Sequence, residues 1–436
     1  MFAFSHIVRR RFLGSAALPI WTVGLSLLVF AQLTAGSMLE ARTPPQFADY
    51  DDVAANLQPA PGQELRVDLL TVEPGKEFYS VWGHTALRIY DSKTRRDMVF
   101  DFGMFMPDRL FLLKFLHNQP AYLLWVTSLP DTLYHYARLN RTVKAQQIFL
   151  SDEEARSLLR KLAINSLPQN RVYRYHHYFN NCTTKLRDIL DEDYFGGRFR
   201  ATYSQRTNDT SFRPLADGLL TYDPPYWLAI NLIQGTLVDR PVSAWEEMFL
   251  PIKFMNYLDE FRGQDGADRI GPIQLIQKAP EPIDRGNAAL AWAKLTIPYC
   301  LLVAILYLWP ALRPDHRIAR RVGNIARWLW YIGAGFAGVI LSILWFYAEQ
   351  DSLDNNINLL AYSPLLLLMP IAHIWLRRPE HHELSLKLHL FFAAWPALGI
   401  LLVLTTIHPQ ISGLIFLLPS LIIQLLIYLY LKRRSS

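Results

Sequence analysis

The sequence predicts an exported α+β domain followed by an all-α bundle of transmembrane helices, and three observations predict it. Apolar residues gather in one stretch near the N-terminus, about Phe12 to Ala35, and in five runs after Asn287, roughly 289–312, 325–348, 358–376, 388–407 and 411–431. Each run approaches the ~20 residues a helix needs to cross a hydrocarbon layer. Loop charges then alternate. Arg313, Arg317, Arg320 and Arg321, then Arg377, Arg378 and Lys387, then Lys432, Arg433 and Arg434 mark one side, whereas Glu349, Asp351 and Asp354, or only His408-Pro409-Gln410, mark the other. By the positive-inside rule both termini are cytoplasmic and residues 36–287 lie outside the inner membrane. Between the apolar regions strand-like segments come mostly first and amphipathic helical ones later, the pattern of an α+β domain.

The elements follow in order. Residues 1–36, with Arg9, Arg10 and Arg11 ahead of the apolar stretch, read as an N-terminal transmembrane anchor, because the stretch is long and lacks a clean small-x-small end; a cleaved signal is the alternative. Residues 37–62 are rich in proline and polar residues and form a linker. Residues 63–287 form the exported, periplasmic domain. In it, Val67–Val72 reads as a strand, Pro74-Gly75 as a turn, and the segment from His84 to Asp91 as a second strand. "SKTRRD" is a hairpin connection and "MVFDFGMF" a third strand. Leu110–Val126, apolar and aromatic, reads as a membrane-proximal helix, and "RTVKAQQIFL" as a strand. Ser151 and Glu154 make a capping-box pattern that opens an amphipathic helix. Asn180 and Asn181 break an extended stretch, after which "CTTKLRDIL" has helical spacing. Residues 288–436 form the transmembrane domain of about five helices.

Composition narrows the function classes. The net charge of +6 is mostly the topology signal just described. No basic stripe crosses the exported region, which argues against a nucleic-acid partner. With 2 cysteines, one of them, Cys300, inside an apolar run, no disulfide framework is expected. An unpaired thiol in an oxidising compartment points to reactivity at Cys182. Its place at a helix start favours the thiolate through the free main-chain N–H groups and the helix dipole. A nucleophilic thiol needs a base oriented by a third polar group. Among His84, His117, His135, His176 and His177, His84 fits best, since Gly83 permits close backbone approach and a strand holds the ring. Asp101 orients the imidazole if its strand pairs with that of His84. Read from the residues alone, Cys182 also fits a buried small side chain, His84 a hydrogen-bonded strand-end residue, and His176 and His177 aromatic packing or surface positions.

Four blocks in order, "LLTVEPGKEFYSVWGHTALRIYD", "DMVFDFGMF", "YRYHHYFNNCTTKLRD" and "GTLVDRPVSAWEEMFLP", resemble the Lnb-like bacterial lipoprotein N-acyltransferase family over residues ~65 to ~255. "NNINLLAYSP" (Asn355–Pro364) resembles a further block of that family at the outer face of its helices. A histidine on an early strand with "NC" at a helix start more distantly resembles the permuted papain-like group, which includes NlpC/P60-type peptidases and lecithin:retinol-type acyltransferases. The resemblance implies a permuted papain-like (NlpC/P60-like) fold for the exported domain, Cys182 as nucleophile and His84 as base. Family members often carry Asn at the position of Asp101.

The resemblance also implies a membrane-bound acyltransferase that needs no cofactor or metal. A phospholipid acyl donor would pass its chain through a Cys182 thioester to the N-terminal amine of a lipoprotein acceptor. Candidate substrate-binding residues are Asn181, Tyr79, Asn356 and Asn358. The last two either hold a lipid headgroup or glycerol ester beneath Cys182 or cap a helix. Competing readings are a papain-like hydrolase of cell-wall peptide or lipid and a non-enzymatic membrane scaffold.

Overall fold

The computed structural model describes residues 57–105, 122–262, 269–281, 286–376 and 379–434. The expected N-terminal anchor and most of the linker lie outside them. Strands β1 (Leu65–Val72), β2 (His84–Asp91), β3 (Arg96–Phe105), β4 (Tyr122–Thr127), β5 (Val143–Ile148), β6 (Val172–Tyr173) and β9 (Ile270–Gln277) form one sheet in the order β6-β4-β3-β2-β1-β5-β9. Every pairing in it is antiparallel. β7 (Thr207–Ser211) and β8 (Pro241–Ser243) make a separate ribbon. The strands read at Val67–Val72, His84–Asp91, "MVFDFGMF" and "RTVKAQQIFL" are all present. The helix expected over Leu110–Val126 is not formed at its end. Tyr122–Thr127 is β4 instead, because "YLLWVT" is rich in β-formers and pairs with β3; the earlier part of that stretch is outside the described residues.

β1 is buried along its whole length because helices cover both faces of the sheet. Helix α1 (Leu129–Arg138) packs over Leu70, Val72 and Val99 on one face. On the other, α2 (Asp152–Ser166), α3 (Cys182–Asp193) and, after the more distant α4 (Pro224–Ile233), α5 (Pro251–Phe261) close a core around Val67, Leu69, Leu87 and Phe100. α2 carries the expected capping box of Ser151 and Glu154.

Beside Leu57 and Gln58 the sheet also buries charge. Asp68, without exposed surface, receives Arg66 Nε at 2.9 Å and Arg88 Nη1 at 2.7 Å, and Arg88 reaches Asp97 at 2.8 Å. Removing one member of such a network strands the others in a dry core, at a cost of about 3–5 kcal/mol. Asp68→Ala should therefore lower the melting temperature of the solubilised chain sharply, while Lys93→Ala, at the exposed pair with Glu64, should leave it nearly unchanged.

Among the described residues four helices are long and apolar enough to cross a membrane: α6 (Ala288–Leu312), α7 (Arg317–Tyr347), α8 (His382–Leu404) and α9 (Ile411–Arg433). The expected fifth, 358–376, is broken. Ser363 is extended ahead of Pro364, so a short helix, Asn358–Ala361, gives way to a 3-10 turn and then to Met369–Leu376. The chain ends that carry the basic residues sit together: Tyr430 Oη donates to Arg320 O at 3.1 Å and Arg433 to Ala311 O at 2.9 Å. The acidic loop after α7 instead meets the exported domain.

That meeting is made by α4. Its sequence, "PPYWLAINLI", carries no charge. Trp227 lies edge-on to Trp292 at the start of α6 with ring centroids 5.3 Å apart, and Leu228 and Leu232 pack with Ile357, Val403 and Leu417 of the membrane helices. Just beyond α4, Gly235 N donates to Ser352 O at 2.9 Å, and Gln410 Nε2 to Gln234 O at 3.0 Å. A Cβ at Gly235 would stand 1.6 Å from Asp354 O. Gly235→Ala should break this docking and lower the melting temperature. Gly333→Ala, whose added methyl meets nothing, should leave it equal or higher, since alanine is the better helix former.

Candidate active site

Cys182 is the first residue of α3, and the residue before it explains why. The Asn181 side-chain oxygen accepts from Thr183 N and Thr184 N, both at 2.9 Å, and Thr184 Oγ1 returns the bond to Asn181 N at 2.8 Å. This is a reciprocal N-cap. The Asn181 amide nitrogen donates to His177 O and Phe249 O, each at 2.8 Å. Asn181 is buried and its bonding capacity is filled within the protein. These bonds make it a positioning residue for the start of α3.

His84 arrives from β2. Gly83 has φ +87, and a Cβ there would stand 2.9 Å from Val72 O, so only glycine lets the chain turn into His84 so close to β1. His84 Nε2 lies 2.5 Å from Asp101 Oδ1 on the neighbouring β3. The expected pairing of the two strands therefore brings these side chains together. Immediately after, the β3–β4 register shifts between Phe102 and Met104, a bulge that leaves Gly103 at φ +98 against the site. A Cβ at Gly103 would stand 3.5 Å from Cys182 Cβ and 3.7 Å from His84 Cε1.

Burial opposes charge on both Cys182 and His84, yet neighbouring groups outweigh it at each. The Cys182 thiol is lowered: burial pushes it up, but the charge of His84 and its hydrogen bond to the sulfur, then the Thr85 amide and the Thr183 hydroxyl, outweigh this. Thr183 Oγ1 is 3.7 Å from the sulfur and 3.1 Å from Thr85 Oγ1. His84 is raised well above the ordinary histidine range; burial works against it, and Asp101, Tyr136 and Cys182 overcome that. Both shifts run toward the thiolate–imidazolium form.

Other side chains at the site have no place in the sequence reading. Tyr122 and Tyr175 stack at 4.1 Å, and Tyr136 lies 6.5 Å from the His84 ring. Burial raises Tyr122 to about 12, with Cys182 adding to the rise. The signal for Tyr173 and Tyr175 was available: they alternate in "YRYHHYF", a period-two pattern that puts both on one face. His177 is buried against Trp82 (4.5 Å) and Phe249 (5.5 Å), and burial lowers it to about 3, so it is a neutral packing residue. His176 accepts from Tyr178 N and Phe179 N through Nδ1 and meets Asp351 Oδ1 through Nε2 at 2.7 Å, which joins the hairpin before Cys182 to the loop after α7.

Tyr79 is 57% exposed, beside Glu77 and Arg141. Asn356 and Asn358 are buried at the end of α4. Their amides donate to Leu232 O at 2.7 Å and to Asn231 O and Leu232 O at 3.1 Å. These carbonyls end α4 and lack intrahelical partners, so the two amide nitrogens serve capping and docking, while Asn358 Oδ1 is buried without a hydrogen-bond partner. Cys300 lies exposed on α6. Among the described residues no cluster of His, Cys, Asp or Glu is arranged to hold a metal ion.

The ion pair has a pH signature. Because its pKa is depressed, Cys182 should alkylate with iodoacetamide at pH values below the ordinary thiol range of about 8.5, losing reactivity only as pH falls through the lowered pKa. His84→Ala should move that midpoint to about 8.5 or above, since burial then acts alone; mass spectrometry of the Cys182 peptide across pH measures it. An unchanged midpoint would remove His84 as the partner.

Neither a curated protein nor a solved structure matches the chain. Residues 54–217, which contain His84, Asp101, Gly103, Tyr173 and Cys182, match the family model of the Lnb N-terminal periplasmic domain. The chain thus carries a domain similar to the Lnb N-terminal periplasmic domain over residues 54–217, ahead of four helices long and apolar enough to cross a membrane.

Proposed function

We propose that this protein is an acyltransferase of the bacterial inner membrane, with a permuted papain-like periplasmic domain that moves a phospholipid acyl chain to the N-terminal amine of a lipoprotein. The observation that carries the reading is the His84–Asp101–Cys182 arrangement, in an Lnb-type domain docked on a membrane bundle. In the first step the Cys182 sulfur attacks the ester carbonyl. The C–S bond forms, the C–O bond to glycerol breaks, and the imidazolium of His84 gives its proton to the departing lysophospholipid oxygen. In the second, the uncharged amine of the lipidated N-terminal cysteine attacks the thioester carbonyl and His84 takes one amine proton. The amide forms and the thiolate leaves, restoring the ion pair. Asp101 keeps the ring oriented and favours its charged form. Two steps through a thioester replace one difficult exchange, and water is not needed as a reactant.

The docking contributes to this reading because both substrates are lipid-embedded. α4 and the loop at Asp351 hold the periplasmic domain against the outer ends of the helices, which a hydrolase of soluble cell-wall fragments would not need.

Reconstitution with a phospholipid labelled in its acyl chain tests it. The intact chain should form a hydroxylamine-sensitive acyl-enzyme at Cys182 and transfer label to a lipoprotein N-terminus, read by mass spectrometry. Cys182→Ala and His84→Ala should each lose at least about 10³-fold, and the double variant should be hardly worse than either, because nucleophile and base act as one unit. Label released only as free fatty acid would favour hydrolysis, and full transfer by Cys182→Ala would end the reading.

A further inference from the structure

The cap that fixes Cys182 also limits what α3 can offer a reacting carbonyl. Three main-chain amides precede the internal hydrogen bonding of the helix, those of Cys182, Thr183 and Thr184. The Asn181 side chain takes two of them. The Cys182 amide alone is left, so the helix start supplies one donor to an oxyanion, where catalysis of acyl transfer is served by a convergent set.

A second donor stands in the site. Tyr173 Oη is buried without a hydrogen-bond partner, a condition that costs about 1–3 kcal/mol and asks for a reason. The position a Cβ would take at Gly103 is 3.7 Å from this oxygen, 3.5 Å from Cys182 Cβ and 3.7 Å from His84 Cε1. Thiol, base and phenol therefore converge on one small volume that the bulged glycine leaves without a side chain. The phenol is held in place. β6 pairs Tyr173 with Tyr122, Phe102 meets the ring edge-on at 5.9 Å, and the Lys185 ammonium lies 5.2 Å above it. Burial, with Cys182 next, raises the hydroxyl well above its usual range, so the proton stays on the oxygen and is available to donate.

We propose that Tyr173 is a catalytic residue, the second oxyanion donor: its hydroxyl and the Cys182 amide hold the carbonyl oxygen that becomes negative when the sulfur attacks an acyl group. As the C–S bond forms, the carbonyl π electrons move to that oxygen, and they return when the leaving oxygen or sulfur departs. The Tyr173 proton is shared but not transferred. The proposal rests on the acyl-transfer reading above.

Tyr173→Phe removes one oxygen that no protein group uses, so the full-length variant should melt at the same temperature as the parent or slightly higher. With a water-soluble p-nitrophenyl acyl ester as probe, acylation of Cys182 should slow by about 10²–10³-fold with little change in KM. Alkylation by iodoacetamide, which forms no oxyanion, should keep its rate and its pH midpoint. Acylation within about threefold of the parent would overturn the proposal, as would a parallel fall in alkylation or a lowered melting temperature, either of which assigns the hydroxyl to the fold or the thiol. The parent enzyme separates this from the function reading. If it forms a thioester with the nitrophenyl ester but never with labelled phospholipid, the lipid reading fails while the Tyr173 result still stands.

Discussion

Cys182 stands where it does because the side chain of Asn181 has no bond left to make. Its oxygen collects the amides of Thr183 and Thr184, and its nitrogen ties His177 O to Phe249 O. One buried amide thus joins the helix that carries the thiol, the aromatic hairpin before it and the turn ahead of α5. Within that frame a strand from a distant part of the chain presents His84, and the next strand presents Asp101. The ion pair can exist in a mostly dry site because three elements, each rigid for its own reasons, meet at fixed spacing. A looser thiol would lose the imidazolium that stabilises it, and burial would return it to the neutral form.

The same hairpin is held from the membrane side. His176 has both ring nitrogens engaged, one on the turn it belongs to and one on Asp351 after α7. α4 leaves the periplasmic domain to pack on the outer ends of the helices, and the amides of Asn356, Asn358 and Gln410 satisfy main-chain carbonyls at and beyond its end. Polar side chains in a largely apolar setting are used here to close a backbone that would otherwise be unpaired. The consequence for function is height: the thiol-bearing domain is fixed against the acidic, outer loops rather than swinging on a linker.

Where sequence and structure part, the cause is competition between local pattern and long-range pairing. "YLLWVT" is apolar enough for a membrane-proximal helix, but β3 offers it a ladder and it becomes a strand. The run 358–376 counts as a span by hydropathy, yet one Ser-Pro step divides it. Asn181, Asn356 and Asn358 looked like polar groups for a substrate. The amide nitrogen of each donates to main-chain carbonyls whose position no sequence pattern reveals. Tyr173 is the converse, ordinary in sequence and unpaired at the centre of the site.

By itself the sequence determined the elements whose cause is local. Hydropathy runs set four of the membrane-length helices, alternation and turn residues set the strands around His84 and Asp101, and capping residues set the starts of α2 and α3. It singled out Cys182, His84 and Asp101 because thiol chemistry requires those residue types in those settings. Only the tertiary structure decided that these three meet, that α4 belongs with the membrane helices although it lies within the exported region, and which polar atoms are left unpaired. Those outcomes depend on sheet register, on burial and on contacts between residues far apart in the chain, and such contacts leave no periodic trace in the segments that make them.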